Sequence, residues 1–199
     1  PNDIKMYLTQ ISNHNGDINN EARMITAVQR DSGFPLMFRA IPGNIVDVST
    51  LSRTITLLSE YGMPTDLSLL DAGYFSDDNV DLLYEANIDF VTRLPERNRT
   101  LYSMILKKGQ PNLRRKENLV KFRDRYVYVK RVECKIGKGQ NLAYAYIGFD
   151  VDGSGDTNHK VITSTRKKAK SIDAMHDTFE TSGIFILISS VAFDAEEIL

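Results

Sequence analysis

Two short apolar runs on either side of one amphipathic stretch constrain this chain more than any other feature. Leu67 to Leu70 has the length of a strand and ends at Asp71-Ala72-Gly73, and Ile88 to Thr92 has the length of a second. Between them Ser76 is placed to cap a helix. Asp77 and Asp78 fall in its first turn, where the helix dipole favours acids, and Val80, Leu83 and Tyr84 supply a buried stripe. A strand, a crossover helix and a strand belong to one sheet in which the two strands lie parallel. The first is a solid apolar run, the pattern of a strand buried on both faces. Asp71 then stands at a carboxyl end, the edge at which open α/β sheets place ligands. The same aspartate could instead cap its turn through its side chain.

The flanking segments extend this core. Arg23 to Arg30 and Pro35 to Ile41 are apolar-rich runs separated by Asp31-Ser32-Gly33, which predicts a β-hairpin with a tight turn. Pro42-Gly43-Asn44 breaks the chain, and Asp47 is placed as a helix N-cap. From there Val48, Leu51, Ile55 and Leu58 recur at helical spacing until Gly62 and Pro64 stop a helix of about fifteen residues. After Leu94 the character changes. Asn98 to Lys108 reads as a helix, Leu119 to Cys134 and Leu142 to Val151 alternate as strands do, and Asp156 to Phe179 is polar and helical in its second half. Ile184 to Ser189 returns to a buried strand, and Asp194 opens a helix.

The net charge of −1 conceals a division. From Ile41 to Thr92 nine acids face one base, Arg53; from Lys107 to Arg131 ten bases face only Glu117 and Asp124. An acidic and a basic half fit a polyanion held by one and metal ions by the other. Along a strand, Lys121, Arg123 and Arg125 share one face, a row of cations suited to a phosphate backbone or, equally, a solvated face. Arg114 and Arg115 belong to the same basic tract.

Several classes are excluded. No apolar run approaches the roughly 20 residues that cross a bilayer, and the first residues lack the layout of a secretory signal. Cys134, the single cysteine, allows no intrachain disulfide and reads as a half-buried strand residue in a reducing cytosol. Asp150-Val-Asp152-Gly-Ser154-Gly155 starts like a calcium loop, but Val161 stands where the closing glutamate is required, so it reads as a polar turn. His14, His159 and His176 lack ligand spacing, and neither a Gly-x-Ser-x-Gly elbow nor a Gly-Lys-Ser phosphate loop occurs.

The stretches GFPLMFRAIPGNIVDVSTLSRTITLL and LSLLDAGYFSDDNVDLLYEANIDFVTRLP closely resemble the DDE transposases of prokaryotic insertion sequences. The group in question has its second aspartate in an Asp-x-Gly-Tyr/Phe segment. Gly-Asn-x-x-Asp at 43 to 47, a helix, Asp71-Ala-Gly-Tyr-Phe-Ser, a second helix and an Ile-x-Phe-Val strand follow in that family's order. Gly183 to Leu199 resembles the strand before the family's third catalytic residue.

The resemblance implies a ribonuclease H-like α/β fold, a mixed sheet flanked by helices, with a β-rich insertion subdomain. Residues 1–95 would be the core, 96–182 the basic insertion facing DNA, and 183–199 the return to the core. It implies three carboxylates around two Mg2+ or Mn2+ ions, which activate water or a DNA 3′-hydroxyl during phosphodiester cleavage and strand transfer. Asp71 matches the second acid, as catalytic residue and metal ligand. Tyr7 stands where the first acid belongs, with Asp3 out of register, and Glu196 and Glu197 stand at the start of the helix that carries the third. The expectation is the central part of a transposase, cut from a longer chain or a degenerate copy, inactive alone. Its DNA contacts would come from Lys121, Arg123, Arg125, Arg114 and Arg115. Its partners would be double-stranded DNA and further copies of itself, as a homodimer or higher assembly in the prokaryotic cytoplasm. A non-catalytic DNA-binding remnant and a purely hydrolytic nuclease of the same fold are the alternatives.

Overall fold

A computed structural model of the chain describes residues 9–12, 18–153 and 182–199. Asp3, Tyr7, the three histidines and the stretch read as a polar helix near Phe179 lie outside the described residues. The chain divides into two units, Pro1–Asp66 and Leu67–Leu199.

In the first unit β1 (Thr9–Ser12), β2 (Ile18–Val28) and β3 (Pro35–Pro42) form an antiparallel sheet in sequence order. The expected hairpin is β2–β3. Its turn is closed by Gln29 N–H to Phe34 O and Gly33 N–H to Gln29 O, so Arg30 belongs to the turn and not to the strand. Ile25, Met37 and Ile41 alternate onto the buried face, while Met24 and Phe38 are exposed on the other. The following helix begins as a 3-10 turn, Asp47–Thr50, which runs into α1 (Leu51–Glu60). It ends where Gly62 N–H bonds to Ser59 O and Met63 N–H to Leu58 O, the paired bonds that satisfy the last carbonyls of a helix.

The second unit is a six-stranded mixed sheet in the order β4-β5-β9-β8-β7-β6. The strands are β4 (Leu67–Leu70), β5 (Asp89–Arg93), β6 (Leu119–Phe122), β7 (Arg125–Ile136), β8 (Asn141–Asp150) and β9 (Ile184–Ser189). β4 and β5 are parallel as expected, joined by α2 (Asp77–Glu85); all other pairs are antiparallel. Ser76 caps α2, accepting the Asn79 N–H at 3.2 Å, and Val80 and Leu83 are buried. α3 (Arg99–Gly109) packs on β7 and β8. It comes close enough that a Cβ on Gly109 would lie 2.2 Å from Ile147 Cδ1. Phe90, Ile147, Ile186 and Ile188 share this helix-covered face and are completely buried.

The opposite face carries Val127, Val129 and Tyr146, covered by Phe193, Ala195 and Ile198. The Tyr146 hydroxyl donates to Phe193 O at 2.9 Å and accepts from Phe193 N–H. Asp194 opens a single helical turn, with Glu197 reaching back to its N–H at 3.0 Å and Ile198 N–H bonded to Asp194 O. No helix among the described residues is long and apolar enough to cross a membrane.

Two expectations are corrected. β4 is not buried on both faces: it is the edge strand of its sheet, and Leu69 is 56% exposed. Leu119 to Cys134 is not one strand either. It is the hairpin β6–β7, with Phe122 opposite Arg125 and a two-residue turn at Arg123-Asp124. Arg123 takes φ +57° to make that turn. Lys121 lies opposite Tyr126, on the face away from Arg125, so the three cations form no row.

Candidate active site and nucleic-acid interface

Strand direction fixes which residues share an end of the six-stranded sheet. The carboxyl ends of β4, β5, β8 and β6 and the amino ends of β9 and β7 all lie at one end. Asp71 follows β4 there, Arg93 ends β5, Asp150 ends β8, Arg125 begins β7 and Arg123 turns between β6 and β7. By register Asp71 is level with Arg93, Leu187, Tyr146 and Arg131, so Arg125 is set off from it by four strands, about 19 Å at about 4.8 Å per strand, and by six residues along β7, about 20 Å more in the strand direction.

Asp71 is exposed, with extended backbone, and precedes a short 3-10 turn, Ala72–Tyr74. Its Oδ1 accepts the Ala72 N–H at 2.7 Å, and its carbonyl accepts the Tyr74 N–H at 3.0 Å. The turn-capping alternative is therefore realised, and it engages one of the two carboxylate oxygens. Asn79 Nδ2 donates to Tyr74 O at 2.8 Å, and Arg97 approaches Ala72 O and Gly73 O at 3.4 Å. No cation is ion-paired with Asp71 among the described residues. An exposed carboxylate with one oxygen oriented and the other open fits a hard divalent ion, which takes one or two carboxylates and keeps its other positions for water and phosphate. The described residues contain no group of three His, Cys, Asp or Glu side chains able to hold a metal.

Glu196 and Glu197 form no three-acid group with Asp71 among the described residues. The chain leaves β9 at Ser190, whose Oγ donates to Asp89 at the opposite end of β5, and Phe193 is bonded to Tyr146 on β8, three strands from β4. That is about 14 Å sideways. Glu197 is engaged in the local turn described above.

The basic residues divide into two sorts. Lys108, Lys130 and Arg131 donate to the carbonyls of Glu133, Pro111 and Phe193 at 2.6, 2.7 and 3.1 Å. Those bonds tie α3 and two loop segments to β7. Arg125 is ion-paired with Asp150 at 2.7 Å, and the second Asp150 oxygen accepts the Gly153 N–H. The arginine side chain remains 41% exposed. Arg114 stacks over the Phe149 ring at 3.9 Å, and Arg123 lies 5.2 Å from the Phe122 ring. Arg115 and Lys121 are exposed. Aromatic stacking holds a guanidinium in place without neutralising it.

Residues beyond the sequence-level candidates join this end. A cleft of about 590 Å3 is lined by Arg93, Glu96, Arg125, Asp150, Phe185 and Leu187. Arg93 closes the run Asp89–Arg93, so its position at the strand end was the available signal. Asn79 was signalled only by its spacing of three from Ser76.

This mixed sheet flanked by helices, with an aspartate after a strand that is parallel to its neighbour and a turn leading into a capped helix, is consistent with a ribonuclease H-like domain of the transposase class. The chain matches the family model "Transposase DDE domain" over residues 14–199 and belongs to that family of DDE transposases. No curated protein and no solved structure matches it.

Proposed function

We propose that this domain acts in metal-dependent phosphodiester cleavage and strand transfer at the ends of a prokaryotic insertion sequence, in the cytoplasm and as a homodimer or larger assembly on DNA. Asp71 holds a Mg2+ or Mn2+ ion of a two-ion centre. When bound, such ions polarise the scissile phosphate and activate the attacking oxygen. The chain's own residues hold the duplex: Arg114, Arg115, Lys121, Arg123 and Arg125 contact phosphates from the insertion, 96–182, while 1–95 and 183–199 form the core. The observation that carries the reading is that Asp71 and the cations of the β6–β7 turn lie toward the same end of one sheet.

Asp71 is the acid that matches the family's pattern at this end, and one carboxylate does not hold two ions, so the 199 residues alone bind DNA without cutting it. In a chain holding all three acids, Asp71→Ala abolishes cleavage and leaves duplex affinity within about twofold, because a metal ligand serves the reaction more than backbone contact. Loss of binding in step with activity would instead give Asp71 a purely structural role. Cleavage without joined products would favour a hydrolytic nuclease.

A further inference from the structure

Asn79 is only 8% exposed, a polar side chain almost wholly inside the protein. It is the third residue of α2, and its N–H is already accepted by Ser76 Oγ. A capping box would place an acceptor here, a Glu or Gln taking the N–H of the cap residue. This chain has an asparagine, whose Nδ2 reaches five residues back to the Tyr74 carbonyl at 2.8 Å. α2 does not need that bond to start, since Ser76 caps it and Asp77 and Asp78 fill its first turn.

The recipient is the turn after Asp71. Ala72–Tyr74 is a three-residue 3-10 turn held by Tyr74 N–H to Asp71 O at 3.0 Å and Phe75 N–H to Ala72 O at 3.3 Å. Such turns have poor hydrogen-bond geometry and little stability of their own. Phe75 is buried and anchors the far side, and Arg97 reaches the turn only at 3.4 Å. The Asn79 amide gives this turn a short, part-buried bond from outside it, where Thr92 Oγ1 reaches the Asp71 carbonyl only at 3.5 Å. The turn's first amide, Ala72 N–H, orients the Asp71 carboxylate at 2.7 Å.

We infer that Asn79 is the positioning residue of Asp71: by fixing the turn through the Tyr74 carbonyl it sets the aim of the carboxylate and hence its affinity for a divalent cation. This rests on the reading of Asp71 as a metal ligand. Partners that orient a ligand are worth about 10- to 100-fold in metal affinity.

The test is an Mn2+ titration of the 199-residue chain, followed by paramagnetic broadening of the Ala72 and Gly73 amide signals. Asp71→Ala should abolish the broadening. Asn79→Leu keeps size and burial but removes the donor; it should leave the amide pattern of the sheet unchanged and weaken Mn2+ binding about tenfold or more. Should leucine prevent folding, Asn79→Ser is read in the same way. A folded variant with wild-type Mn2+ affinity overturns the inference. Absence of any Asp71-dependent broadening in the wild type removes the metal-ligand reading itself, and the inference with it.

Discussion

Asp71 and Asp81 lie ten residues apart, one before α2 and one inside it, and their carboxylates are treated in opposite ways. Asp81 is saturated: its oxygens accept Lys138 N–H at 2.9 Å, Gly139 N–H at 3.3 Å and Asn141 Nδ2 at 3.0 Å. Around it Asp78 is ion-paired with Lys138, and the Tyr84 hydroxyl donates to Leu142 O. All of these fasten α2 to the β7–β8 hairpin. Among the described residues Asp71 has a single donor on one oxygen. An acid whose lone pairs are occupied by its own protein holds the fold; one left half open can take a ligand. The same division runs through the cations, with Lys108, Lys130 and Arg131 bonded to carbonyls while Arg114 and Arg123 stack on rings with their charge unneutralised.

Stability separates the two acids most sharply. Asp81→Ala leaves three donors without their acceptor and should cost about 2 kcal/mol in urea unfolding, whereas Asp71→Ala loses one capping bond and should cost about 0.5 kcal/mol. Equal losses would break the contrast. Gly137→Ala should come close behind Asp81→Ala. It combines φ +72° with a Cβ that would lie 2.2 Å from Asp81 Oδ1, and a cost of about 1–2 kcal/mol is expected. If instead it is neutral, the hairpin is not held where Asp81 meets it.

Alkaline pH probes the same region. Burial pushes the Cys134 thiol from 9.0 up to about 11, with Lys108 pulling slightly back. Burial also pushes the Tyr84 hydroxyl from 10.0 up to about 12, with charge on Cys134, Asp89 and Tyr144 adding to it. Both groups hold their protons more tightly folded than unfolded. Their contribution is therefore complete below pH 9 and is lost as the pH rises through 11 and 12. The urea midpoint should fall across that window, and fall less in Tyr84→Phe/Cys134→Ala; an identical slope would mean that neither group is buried as described.

Much of this frame is legible in the sequence because hydrophobic period and cap chemistry act locally. Val80 and Leu83 behind Ser76, and Leu51 and Leu58 before Gly62, announce two helices without reference to anything distant. The hairpin at Arg123-Asp124 is not legible. A two-residue turn keeps the alternation of LVKFRDRYVYV intact through the reversal, and the left-handed residue is an arginine instead of the glycine that would flag it. The edge position of β4 depends on which strand lies beside it, which apolar content does not encode. The partners of Asp81 and Asn79 are not legible either, for a related reason. They are a hairpin some sixty residues away in one case and a backbone carbonyl in the other. Asp71 was found from its place at a strand end, though nothing local said that its turn would be held from α2.

The central claim is that one sheet end meets nucleic acid and the β7–β8 hairpin end is scaffolding. The most direct measurement compares duplex affinity across a salt series for two triple variants of the folded chain. Arg114→Ala/Lys121→Ala/Arg123→Ala removes cations toward the Asp71 end that have no acid partner among the described residues, and should lower the slope of log affinity against log salt by about 2 to 3, at roughly 0.9 per phosphate contact. Lys108→Ala/Lys135→Ala/Lys138→Ala removes three charges near the hairpin and should leave that slope unchanged, whatever it does to stability. The reverse pattern, with the slope lost at the hairpin and kept at the Asp71 end, would contradict the account.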